Sequence, residues 1–218
     1  MLLKTEVPMS HGAKSEIKTI VFDIGHVLID WNPRYVYREY FDGDAQAMEH
    51  FLTEICAPEW NRSLDAGKSF DQGVTERQAL YPEHAELIAM WRDRWADMLG
   101  DASQGTVDIL SALRDKGYPV YAITNWSAET FPVARERFPF LGWFLDIVVS
   151  GEVGAAKPDA RIFEIFLEKH GVDPRATVFI DDSAANVAAA NTIGFKGVRY
   201  VDPPELRRDL EGLGVRLI

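Results

Sequence analysis

The chain lacks disulfides, long apolar runs and any excess of positive charge. Its single cysteine, Cys56, cannot form an internal disulfide, which makes a reducing cytoplasm the expected compartment. No apolar run approaches the roughly 18 residues of a membrane helix. Residues Met1 to Glu16 have no apolar stretch of the signal-peptide kind and read as a loose leader of mixed polarity. The 34 acidic against 23 basic side chains leave a formal charge of −11, which argues against nucleic acid or an anionic membrane as partner. A phosphorylated small molecule is not excluded, because such a ligand needs only local donors or a metal. No internal repeat or low-complexity tract is present. What remains is 218 residues with 47% apolar content, enough to build the core of one α/β domain with a modest insertion.

The organising stretch is Ile20-Val21-Phe22-Asp23-Ile24-Gly25-His26. The run from Ile17 to Phe22 is short, β-branched and aromatic, as expected of a strand buried on both faces of a parallel sheet. An acid at the carboxyl end of such a strand sits where open α/β sheets place their ligands. Gly25 then allows a tight turn or a close approach to a ligand. Asp30-Trp31-Asn32-Pro33 is a breaker cluster that starts a helix and reads as the hinge where the chain leaves the core.

From Arg34 to about Gly100 the apolar spacing is helical, with Glu83 to Leu99 read as one longer helix and no convincing strand. This block is expected to be a small helical domain inserted in the chain, its Trp60, Trp91 and Trp95 chiefly packing. Thereafter strands and helices alternate. A helix over Thr106–Lys116 closes at Gly117, a strand spans Pro119–Ile123, and a helix follows over Ala128–Arg137. Strands at Ile147–Val149, Thr177–Ile180 and Gly197–Val201 alternate with helices over Ala160–His170 and Ala184–Ile193. Asp202 to Ile218 reads as a closing helix and tail. The alternation implies an α/β fold with a doubly wound parallel sheet: core 17–31 plus 105–218, insertion 32–104.

Four polar clusters fall at strand ends or in βα loops: Asp23, Thr124-Asn125, Lys157 and Asp181-Asp182. Parallel strands bring these ends to one edge. Asp23 is then a carboxylate nucleophile. Asp182, helped by Asp181, holds with it a divalent cation of the magnesium type, which takes few protein oxygens and keeps its waters. Adjacent buried acids repel and raise each other's pKa unless a cation is present. Thr124 and Asn125 donate to transferring oxygens, and Lys157 balances Asp23 and an anionic substrate.

Phe22-Asp23-Ile24-Gly25-His26-Val27-Leu28, Ile123-Thr124-Asn125, Lys157-Pro158 and Ile180-Asp181-Asp182-Ser183-Ala184-Ala185-Asn186 together resemble the motifs of the haloacid dehalogenase superfamily, dominated by magnesium-dependent phosphatases. The resemblance runs from Ile17 to Val201 and includes the insertion, which looks like this family's small α-helical cap on a Rossmann-like core. It implies Mg2+ as cofactor and Asp23 as the residue that becomes aspartyl-phosphate. It also implies Asp182, with Asp181 close by, and the main-chain carbonyl of Gly25 as metal ligands, and Thr124, Asn125 and Lys157 as the grip on the phosphoryl group.

One position departs from the commoner phosphatase pattern. The second aspartate, two residues after the nucleophile, is replaced by Gly25, removing a general acid worth roughly 10²–10⁴ in rate. A substrate with a good leaving group, such as an anomeric sugar phosphate, proton donation by His26, or a slow enzyme would each accommodate the loss. The glycine-type motif also resembles the metal-free L-2-haloacid dehalogenases, against which the Asp181-Asp182 pair stands; a non-catalytic relic is the third reading. The expected partner is a small phosphorylated molecule. Within the insertion, Pro58 to Gly67 is polar and turn-like, and its ring, amide and acid, Trp60, Asn61 and Asp65, are the candidate contacts to a sugar or similar body, with packing the alternative for Trp60 and an N-cap or salt bridge for Asp65.

Overall fold

The computed structural model describes residues 16–217; the proposed leader therefore lies almost entirely outside the described residues. Among the described residues, seven strands form two sheets. The larger is parallel, in the order β5 (Ile147–Val149), β4 (Val120–Thr124), β1 (Thr19–Phe22), β6 (Thr177–Asp181), β7 (Lys196–Arg199). β1 is central: Ile20 stands opposite Val120 on one side and Val178 on the other.

All four residues of β1 are buried, and its alternating side chains enter two separate cores. Ile20 and Phe22 join Val120, Ala122, Val178 and Ile180 on one face. Val21 joins Ile123, Val148 and Phe179 on the other, where Phe163 and Phe166 of the helix Ala160–His170 pack. Phe163 meets Phe179 edge-on at a centroid distance of 5.1 Å. Truncating a buried Phe of this kind to Ala costs about 3–5 kcal/mol. That helix starts where the Asp159 side chain accepts from the Arg161 N–H and ends at Gly171 in the left-handed region, so its span follows its caps.

The insertion enters and leaves the core through an antiparallel pair, β2 (Ile29–Trp31) and β3 (Leu99–Ala102). The reading of 34–100 as strand-free therefore fails at its end. The single helix expected over Glu83–Leu99 is also broken. Its α-helical part is Ala85–Asp93, Arg94 leaves helical geometry at φ −120°, and a 3₁₀ turn over Trp95–Met98 leads into β3. The apolar spacing runs on because Trp91 in the helix and Trp95 and Met98 in the turn reach the same core. The remaining differences lie at element ends. Pro132 at the second position of the helix Phe131–Arg137 fixes a later start than Ala128, and the last strand runs from Lys196 to Arg199.

Candidate active site

Because β4, β1 and β6 are neighbours and parallel, their carboxyl ends bring Thr124, Asp23 and Asp181 to one edge. Lys157 reaches the same point from the loop before the helix Ala160–His170. Its ammonium lies 2.8 Å from Asp23 Oδ1 and 2.7 Å from Asp181 Oδ2, and donates to the Ile123 carbonyl at 2.8 Å. With three acceptors for its three protons, the buried ammonium is fully satisfied.

Both oxygens of the buried Asp181 are occupied. Oδ1 accepts from the Ser183 N–H at 2.8 Å, the Asn186 amide donates across both oxygens at 3.0 and 3.1 Å, and Lys157 holds Oδ2. Asn125 is similarly engaged: its Nδ2 donates to the Lys157 carbonyl and its Oδ1 accepts from the Lys157 N–H, each at 2.8 Å. The amide read from the sequence as a donor to substrate thus clamps the lysine's own peptide, with one N–H left over. Asp23 Oδ1 also accepts from the Ile24 N–H at 2.7 Å.

Burial pushes the Asp23 carboxyl well above the usual carboxylate range, against the pull of Lys157 and with a further push from Asp181. Burial and Asp181 likewise raise Asp182, while His26 and Lys157 hold it down. For Lys157, burial lowers the ammonium, but Asp23 and Asp181 outweigh it and keep the group above its ordinary value. Oxygens of Asp23, Asp181 and Asp182 lie within 4.8 Å of one another. An all-carboxylate set fits a hard cation. Because Asp181 already satisfies Lys157 and Asn186, Asp23 and the half-buried Asp182 are the pair with capacity to spare.

A cavity of about 200 Å³ opens beside Asp23, lined on the core side by Gly25, His26, Asn125, Trp126 and Asp182. Asn61 and Asp65 from the insertion and Trp31 and Trp95 at its two joints complete it. Trp60 is not brought there. It is buried, its indole N–H donates to the Gly73 carbonyl at 3.1 Å, and its ring packs edge-on against Trp91. Successive helical residues lie 100° apart. Trp60 and Leu64 therefore face the core, while Asn61 and Asp65, shifted by one position, face the cavity. That offset divides the polar stretch Pro58–Gly67, of whose ring, amide and acid only Asn61 and Asp65 reach the cavity. His26 is exposed, sits in the left-handed region at φ 58°, and turns its ring to the edge of Trp31. Among the described residues, three buried side-chain polar atoms have no hydrogen-bond partner, and all three belong to this neighbourhood: Thr124 Oγ1, Trp31 Nε1 and Trp126 Nε1.

The sequence profile of haloacid dehalogenase-like hydrolases matches residues 17–194, and the chain belongs to that family. It is 28% identical over 194 residues to Sesquiterpene phosphatase astK of Aspergillus oryzae, covering 85% of this chain and 90% of that one. It is 22% identical over 206 residues to D-ribitol-5-phosphate phosphatase of Bacteroides thetaiotaomicron, covering 89% and 97%. A family enzyme from Bacteroides thetaiotaomicron, crystallised as a magnesium complex, superposes with a TM-score of 0.66 at 23% identity, over 86% of this chain and 95% of that one. At that identity the last likeness is one of fold. Among the described residues no helix is long and apolar enough to cross a membrane.

Proposed function

We propose that the chain is a magnesium-dependent phosphatase that hydrolyses a small phosphorylated metabolite of sugar or polyol type through an aspartyl-phosphate on Asp23. In this reading residues 32–104 act as the cap over a core of 17–31 plus 105–218. The observation that carries it is the convergence of Asp23, Lys157 and Asp182 beside a hydroxyl, Thr124 Oγ1, that is buried without a partner. A buried hydroxyl left unpaired costs about 1–3 kcal/mol, a loss that a phosphoryl oxygen would recover.

Asp23, Asp182 and the Gly25 carbonyl would hold the cation, and Asp181, whose oxygens are already taken, would position Lys157. When bound, Mg2+ supplies positive charge that keeps Asp23 ionised and offsets charge on the transferring oxygens. An Asp23 oxygen attacks phosphorus, Thr124 and the remaining Asn125 N–H donate to non-bridging oxygens, and Lys157 balances the charge that develops. Water then cleaves the acyl phosphate and regenerates Asp23.

The substrate class rests on the cavity. The cavity beside Asp23, of about 200 Å³, adjoins a second of about 390 Å³ that shares His26, Trp31 and Asn61 with it. Asn61 and Asp65 offer polar contacts, and the indole N–H groups of Trp31 and Trp126 have no partner within the chain, which suits a compact body rich in acceptor oxygens. A sugar or polyol phosphate fits that description better than a terpenoid one. For a metal-free dehalogenase, the three-acid cluster would repel the carboxylate of a haloacid.

A screen of phosphorylated metabolites with Mg2+, run beside Asp23→Asn and with EDTA, tests this. Both treatments are expected to abolish turnover of the best substrate and of p-nitrophenyl phosphate. Turnover that survives either one, or chloride release from 2-chloropropionate in EDTA, overturns the proposal.

A further inference from the structure

The phosphatase reading leaves one role without a residue. The alcohol leaving from phosphorus needs a proton, and the position two after the nucleophile is a glycine. Four titratable side chains line the cavity: Asp23, His26, Asp65 and Asp182. Asp23 is the nucleophile and Asp182 a cation ligand, so His26 and Asp65 remain. His26 is exposed on the core loop, with its ring turned to the edge of Trp31.

Asp65 is built differently. It is the last residue of the helix Pro58–Asp65 and enters the cavity from the insertion. Its Oδ2 accepts from Asn61 Nδ2 at 3.0 Å, and the other end of that amide accepts from Trp91 Nε1 at 3.1 Å, so the donor end is turned to Asp65. Its main chain is tied to the core. The Asp65 carbonyl accepts from Ser150 Oγ at 2.5 Å, and that hydroxyl in turn accepts from the Trp126 N–H at 2.9 Å. With its carboxyl held by Asn61 and its main chain by Ser150 beside a reactive cavity, Asp65 is more than the solvated end of a helix.

We propose that Asp65 is the proton donor and acceptor of the reaction, its carboxyl carried into the Asp23 cavity by the inserted helix to fill the role that Gly25 leaves open. In the first half, an Asp23 oxygen forms a bond to phosphorus, the bond to the leaving oxygen breaks, and the Asp65 proton passes to that oxygen. The products are a free alcohol, aspartyl-phosphate and an Asp65 carboxylate. In the second half, water attacks phosphorus and gives its proton to Asp65, and the Asp23–phosphorus bond breaks to release phosphate.

The electrostatics agree. Burial raises the Asp65 carboxyl from 3.8 to about 7, with the Ser127 main-chain N–H and Arg62 opposing and the Asp23 charge adding. A carboxylate at a helix C-terminus is also disfavoured by the helix dipole. An acid whose pKa lies near the working pH is present in both of the forms that the two half-reactions need.

This inference rests on the phosphatase reading, and the experiment separates the two. Asp65→Asn is compared with the wild type on aryl phosphates of graded leaving-group pKa and on a simple alkyl phosphate, with Mg2+. The expected loss in kcat/KM is roughly 10²–10⁴ for the alkyl ester and much less for p-nitrophenyl phosphate, so the dependence on leaving-group pKa steepens. Phosphorylated protein is expected to accumulate and to be seen by intact-mass measurement after acid quench, because the second half-reaction lacks its base.

Gly25→Asp added to Asp65→Asn should restore alkyl phosphate turnover, since a Cβ at Gly25 would meet no atom within 4 Å. Should Asp65→Asn fail to fold, Asp65→Ala with added formate reads the same step by rescue. Equal losses on all substrates with no phosphoenzyme would overturn the role and leave Asp65 a structural tie. A steepened dependence in His26→Ala but not in Asp65→Asn would move the role to His26. Turnover persisting in Asp23→Asn would instead sink the phosphatase reading itself.

Discussion

Holding a carboxyl ready as an acid has a cost to the fold that can be measured without substrate. The Asp65 carboxyl stands at about 7 in the folded chain against 3.8 for an unperturbed aspartate. Below both values the folded and unfolded chains each carry the proton, and Asp65 is neutral to stability. Between them the folded chain keeps a proton that the unfolded chain releases, so stability falls as pH rises. Above about 7 both are ionised and the loss is complete. At 1.36 kcal/mol per pKa unit, a rise of about three units is worth about 4 kcal/mol.

Asp65→Asn retains an oxygen to accept from Asn61 but cannot ionise. Urea unfolding of both proteins in EDTA, at steps from pH 4 to pH 8, should therefore show the variant gaining on the wild type as pH rises. The gap should grow by up to about 4 kcal/mol and level off near neutrality, far outside the 10–15% uncertainty of extrapolation. Groups remote from Asp65 are common to both chains and cancel in the difference, while the Asp23 charge, which raises Asp65, makes a smaller contribution to the gap. Curves that run parallel across this range would refute the reasoning, because they would mean that Asp65 is as well solvated folded as unfolded.

Two further outcomes follow from the same site. Lys157→Met strands the Asp23 and Asp181 carboxylates that its ammonium holds at 2.8 and 2.7 Å, and should lower stability by about 3–5 kcal/mol in urea titrations at alkaline pH. Thr124→Val removes a hydroxyl that has no partner in the chain, so the unfolding midpoint should be unchanged or raised, while inhibition by inorganic phosphate weakens several-fold; a drop in stability with unchanged phosphate inhibition would show that the hydroxyl serves the core.

The parts of the fold legible in the sequence are those where one local signal suffices. β1 and β6 are buried on both faces, so Ile20-Val21-Phe22 and Val178-Phe179-Ile180 are unbroken apolar runs that end in acids. The β2–β3 pair was not legible. Its strands hold three and four residues, with an irregular register between Ile29 and Trp31, too short for alternation to declare itself. Asn125 shows a second limit. Its position after β4 is evident from the sequence, but its pairing with the Lys157 peptide joins residues 32 apart and depends on how the loop is seated. Trp60 and Asp65 show a third, for within one polar stretch only helical phase separates the packing residue from the cavity residue.

Charge counting explains why two carboxyls in one cavity can take opposite parts. Lys157 is matched by Asp181, both buried and with their remaining bonds made within the chain. Asp23 and Asp182 are left as two negative charges, both with ionisation disfavoured by burial. Burial works against the ionised form that a nucleophile needs, a divalent charge shared between the two would favour it, and the same charge admits a phosphate to an otherwise repelling site. The Asp65 carboxyl accepts from Asn61 of its own helix, and its main chain is tied to Ser150. Cation binding would thus pull Asp23 down into its ionised form and leave Asp65 near neutrality, separating the nucleophile from the acid by environment, without any difference in residue type.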